Sequence, residues 1–145
     1  MTNIFALLAA IFIGALSTVQ SGINTDLGKH VGGLTAALVS FLVGTITLGI
    51  FYLGSSNRGL TGIFQLPPVL LIGGFFGALF VYGMIEIIPI IGVSGTIAGV
   101  IAGQLILGMI MDHFGWFGLP VFEFTFRRAI AAILLIVSTV LMRKF

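Results

Sequence analysis

Residues 92–111 read GVSGTIAGVIAGQLILGMIM, twenty residues with no charge and with small residues along most of their length. A helix crossing a hydrocarbon core of about 30 Å needs roughly 20 apolar residues. This stretch is therefore long enough to cross a membrane by itself. Four more stretches share its character, over about 3–23, 33–53, 68–88 and 126–143. The last is short in its purely apolar part and is lengthened by the aromatic residues before Arg128. Between them lie the polar run from Asn24 to His30 and the longer polar loop from Gly54 to Pro67. Pro89 predicts a tight turn between the third and fourth stretches, because proline cannot continue the hydrogen-bond ladder of a helix interior. The expected fold is an all-α integral membrane protein of five transmembrane helices, one domain over 1–145.

Composition leads to the same class. Of 145 residues, 59% are hydrophobic and 7% charged, against roughly 45–50% and about 25% in soluble domains. Six Lys and Arg, four Asp and Glu and two His cannot coat a water-facing globule of this size. This excludes a soluble enzyme, a disordered tail and a nucleic-acid binder. The absence of cysteine excludes a disulfide framework and a thiolate nucleophile. Two distant histidines and no dense carboxylate set supply no metal coordination sphere. With no nucleotide-binding loop either, neither an enzyme, a cofactor nor a metal is expected. No Lys or Arg precedes the first apolar run, which argues against a signal peptide. No period-two alternation suggests a β-barrel.

Five crossings place the chain ends on opposite sides. Arg58, Arg127 and Arg128 then fall on one side, and Lys29, Arg143 and Lys144 on the other. An excess of Lys and Arg on one side normally sets orientation, and three against three provides none. The expectation is insertion both ways round, with two inverted copies pairing about an axis in the membrane plane. That pair is the two-chain counterpart of the inverted repeats in many secondary transporters. A separate partner chain setting one orientation is the competing reading.

Helices in lipid pack through small residues that bring backbones close. Gly95, Gly99 and Gly103 form such a ladder in the fourth stretch, and Gly73 and Gly77 in the third. Polar residues in hydrocarbon are costly and point inward. Ser17, Gln20, Ser21 and Asn24 share one helical face. Ser40, Tyr82 and Gln104 add polarity in the second, third and fourth stretches. The hydroxyls can be satisfied by backbone carbonyls, whereas the large amides pack poorly and point to a cavity. Ser17, Gln20, Asn24, Ser40, Tyr82 and Gln104 are the candidate substrate pathway. Glu86 is the one carboxylate within an apolar run. Burial would raise its pKa and suit it to proton coupling; an interfacial position near Pro89 is the competing reading. Asp112 and His113 read as a solvated helix terminus, and Asp26, Lys29 and His30 as a loop cluster. The rings of Trp116, Phe117, Phe122, Phe124 and Phe126 before Arg127 and Arg128 suit the headgroup region.

Several segments together resemble a known family. They are QSGIN at 20–24 with Leu27-Gly28, AALVSFLVGT at 36–45, GGFFG at 73–77, PIIG at 89–92, AGQ at 102–104 and MDHFG at 111–115. The chain is similar over essentially its whole length to the YdcZ-like small bacterial membrane proteins of the drug/metabolite transporter (DMT) superfamily. The resemblance implies a five-helix half-transporter in the bacterial inner membrane. It also implies an antiparallel homodimer, or a heterodimer with a sister protein, that exports or exchanges small metabolites. The smaller four-helix multidrug relatives use a carboxylate in their first helix, and the first apolar stretch here, over about 3–23, has none. The expected function is secondary transport of a small polar or amphipathic metabolite by alternating access. A non-transporting scaffold or regulatory subunit is the rival.

Overall fold

The computed structural model describes residues 2–55 and 63–141, and every regular element among them is helical. The helices are α1 (Thr2–Val31), α2 (Gly33–Gly54), α3 (Gly73–Phe114) and α4 (Phe126–Leu141), with short 3-10 turns at Ile63–Gln65, Pro68–Leu71 and Trp116–Gly118. Among the described residues, three helical stretches are long and apolar enough to cross a membrane: Ile4–Val31, Gly33–Gly54 and Pro68–Phe114. Large apolar side chains are widely exposed, among them Phe5, Ile46 and Leu134. Such continuous apolar surface is what lipid, not water, accepts. Of the cations in the orientation argument, Arg58, Arg143 and Lys144 lie outside the described residues. The chain divides into two compact units, Met1–Ile87 and Ile88–Phe145.

Two boundaries differ from the sequence reading. Asn24 to His30 is not a loop, because α1 runs through it to Val31. Polarity does not end a helix when its residues bond locally. Lys29 Nζ donates to Asp26 Oδ1 at 3.0 Å, one turn away, and Thr25 Oγ1 donates to the Ser21 carbonyl at 2.7 Å. Pro89, in turn, lies inside α3, and the chain leaves helical geometry three residues later at Gly92, with φ 77° and ψ 165°. A proline removes one ladder bond yet keeps a helical φ. A positive φ with extended ψ is a conformation essentially reserved for glycine. Gly92 therefore divides α3 into stretches 73–91 and 93–114, about 28 Å and 33 Å long at 1.5 Å per residue. The third stretch also starts later than expected, since 68–71 is a 3-10 turn and α3 begins at Gly73.

Gly32, with φ 83° and ψ 150°, is the whole joint between α1 and α2. Its N–H donates to the Gly28 carbonyl, closing α1, and its own carbonyl accepts from the Ala36 N–H, opening α2. One residue thus satisfies groups at two helix ends that would otherwise lack partners. The two helices pack side by side as a hairpin. Residues equidistant from Gly32 face each other, as with Gly28 and Ala36. Ala36, Ala37 and Ile85 form the core of the first unit, with Leu27 and Val81 packed against them. A Cβ at Gly28 would approach Ile85 Cγ2 to 2.7 Å. That methyl belongs to a β-branched side chain with little rotamer freedom. Gly28→Ala is expected to destabilise the first unit by about 1–3 kcal/mol, the usual cost of overpacking. Equilibrium unfolding in detergent micelles measures it.

The glycine ladders behave unevenly. A Cβ at Gly77 would meet the Phe41 ring of α2 at 3.3 Å, whereas Gly73, Gly99 and Gly103 face open space within the chain. Gly95 has only Ile91 side-chain atoms nearby, the closest at 3.8 Å. In the second unit, Thr139 of α4 donates to the Ala98 carbonyl of α3 at 3.1 Å, and Thr96 and Ala132 are buried.

Candidate functional site

The hairpin register explains the polar cluster in the first unit. Asn24 and Ser40 each stand eight residues from Gly32, on opposite arms. Asn24 Nδ2 donates to Ser40 Oγ at 3.0 Å, and Gln20 Nε2 donates to the same oxygen at 3.5 Å. The second bond is long and weak. A hydroxyl oxygen has two acceptor lone pairs, so both amides can share Ser40 and leave its proton free to donate elsewhere. Asn24 is buried, Ser40 half-buried and Gln20 exposed. Gln20 and Ser40 line an open groove of about 180 Å³ with Phe41, Gly44, Thr45 and Leu48. The cluster holds donors and acceptors without formal charge, chemistry suited to a small polar or amphipathic solute.

Three other hydroxyls of α1 are turned to their own backbone. Thr18, Ser21 and Thr25 donate to the carbonyls of Gly14, Ser17 and Ser21. Ser17 is half-buried and contributes its carbonyl to this series. Such bonds satisfy the hydroxyl inside its own helix.

Tyr82 lies elsewhere in the first unit. It lines an apolar groove of about 370 Å³ between α2 and α3, with Leu34, Ala37, Leu38 and Phe75 among the walls. The Phe41 ring borders this groove and the polar one. Glu86 is exposed, not enclosed by the apolar residues that flank it in sequence. Its carboxyl group crosses over Gly33, where an added Cβ would overlap Oε1. Gly33 opens α2, and the Gly32 cap supplies no side-chain bond to that helix start. The positive end of the α2 dipole favours a carboxylate there.

The second unit holds Gln104 and an ion pair between Asp112, expected at a solvated helix terminus, and Arg128, expected in the headgroup region. Arg128 Nη2 contacts Asp112 Oδ2 at 2.8 Å, each side chain being about one-third exposed. Arg128 Nη1 donates to the Phe122 carbonyl at 3.4 Å, and its guanidinium stands 5.7 Å from the Phe122 ring centroid. The Phe122 N–H donates to the Asp112 carbonyl at 2.9 Å. A connection of only thirteen residues between Phe114 and Arg128 was the available signal for this pair. No group of His, Asp and Glu able to hold a metal ion occurs among the described residues.

Neither a curated protein nor a solved structure matches the chain. A family profile matches residues 5–141, nearly the full length. The chain belongs to the family described as “Putative inner membrane exporter, YdcZ”.

Proposed function

We propose that this multi-pass inner-membrane protein of an exporter family exports or exchanges a small polar or amphipathic metabolite as an inverted dimer of five-crossing protomers working by alternating access. The observation that carries this reading is the uncharged amide–hydroxyl cluster of Gln20, Asn24 and Ser40 on an open groove. Polar groups that served packing alone would be closed off, and exposed Gln20 is not. The breaks at Gly32 and Gly92 support the five-crossing count. The sequence's lack of charge bias supports insertion both ways round, with an identical chain or a sister protein as the mate. Ser17, Tyr82 and Gln104 complete the proposed pathway residues.

Purified protein in lipid vesicles should show saturable counterflow of a metabolite panel, and one-sided reporters on the C-terminus should give signal from both sides. Absence of flux for every solute would replace the carrier with a scaffold. A one-sided signal would replace the inverted pair with a fixed orientation. Glu86 is the proposed proton site. Glu86→Gln should abolish pH-driven flux with assembly intact, and Gly33→Ala, which displaces the carboxyl group from the α2 start, should weaken it. Unchanged pH dependence in both variants would remove Glu86 from the coupling step.

A further inference from the structure

Asp112 and Arg128 stand at the wrong ends of their helices. Asp112 lies in the last turn of α3 and Arg128 in the first turn of α4. A helix dipole favours anions at its start and cations at its end, so each charge opposes its own helix. Capping cannot account for either residue; they suit each other and the groove they border. That groove holds about 200 Å³ and is lined by Gln104, Gly108, Asp112 and Arg128, with Leu105 and Met109 as apolar walls. Gln104, Gly108 and Asp112 follow at four-residue steps and share one face of α3. A Cβ at Gly108 would meet nothing within 4 Å, so the groove floor is open at that point.

From this arrangement we infer that the groove is a binding site for a small zwitterion, its carboxylate on Arg128 and its ammonium group on Asp112. Charge balance selects the class. A plain anion would set a second carboxylate beside Asp112, and a plain cation would leave Arg128 unpaired in a half-buried place; leaving one charge uncompensated is the costly outcome. A zwitterion replaces one neutral pair with two. The guanidinium has five donors in a planar fork that fits a carboxylate in bidentate fashion; Nη2 gives one to Asp112 and Nη1 one to the Phe122 carbonyl, which leaves three. The Gln104 amide supplies a further polar contact. The site deepens the exporter reading by naming a solute class at Gln104, and it therefore depends on that reading for its transport role, though not for binding.

The test uses the full chain in detergent micelles, with L-leucine as the probe because its side chain suits Leu105 and Met109. N-acetyl-L-leucine and L-leucinamide each lack one charge. Calorimetric titration should show leucine binding, with both analogues weaker by about tenfold or more, the loss of one charge-assisted hydrogen bond. Gly108→Leu should fill the groove and abolish binding while the unliganded unfolding midpoint holds. Absent leucine binding, N-acetyl-leucine binding as tightly as leucine, or unchanged affinity in Gly108→Leu would each overturn the inference. Leucine bound but not moved by vesicles leaves the site standing and removes the carrier. Vesicles moving other solutes, with no leucine binding, do the reverse.

Discussion

Gly32→Ala and Gly92→Ala are each expected to lower the unfolding free energy by about 1–3 kcal/mol, the cost of holding a side chain in a backbone region reserved for glycine. Both residues have positive φ with extended ψ. Neither would clash, since a Cβ at either position meets nothing within 4 Å. The cost is therefore one of backbone strain alone. Gly49→Ala is the control. It lies in regular α2 with open space around it, and alanine there is favoured over glycine by up to about 1 kcal/mol. Equilibrium unfolding of the three variants in mixed micelles should separate them by sign. A Gly92→Ala protein as stable as Gly49→Ala would mean that the break in α3 is not built on that glycine. For Gly32 the loss should extend to the polar cluster, because this joint sets which residues of α1 and α2 lie level.

Asn24→Leu is expected to reduce vesicle flux by about tenfold or more, the equivalent of one productive hydrogen bond. Its effect on stability should be smaller, near 0.6 kcal/mol and below about 2 kcal/mol, as for other interhelical hydrogen bonds in membranes. Leucine has similar bulk and suits lipid, so the change isolates the amide. Ser40→Ala should act in the same direction. Since Asn24 donates to Ser40, the double variant should lose little more than either single one, the signature of a shared interaction. Additive losses of flux would mean that the two side chains meet the solute separately. Undiminished flux with reduced stability would assign the pair to packing and remove it from the pathway.

Much of the fold is legible in the sequence itself. Residues 33–53 and 92–111 announce themselves as helices of membrane length because hydropathy and helical rise are local properties. The small-residue ladders were legible as patterns but not as contacts. Gly77 meets Phe41, whereas Gly73, Gly99 and Gly103 meet nothing within the chain. Gly28 and Gly33, which lie closest to α3 side chains, belong to no ladder, since a close approach depends on which helix arrives and at what height. The same limit applies to the polar residues. Gln20 and Asn24 could be placed on one face of α1 by their spacing, yet their partner on α2 depends on where the hairpin turns.

The amino-acid order alone determined the class: an apolar helical chain with stretches long enough to cross a membrane. Polarity did not determine where helices stop. Asn24 to His30 stays helical because its side chains and backbone are satisfied locally, and Pro89 stays helical because its φ permits it; Gly32 and Gly92 end helices because only their backbone can turn there. Tertiary structure decided the pairing of Asn24 with Ser40, of Glu86 with the start of α2, and of Asp112 with Arg128. Each joins residues separated along the chain, and such meetings depend on the backbone angles of one or two joints that no local pattern of hydrophobicity encodes.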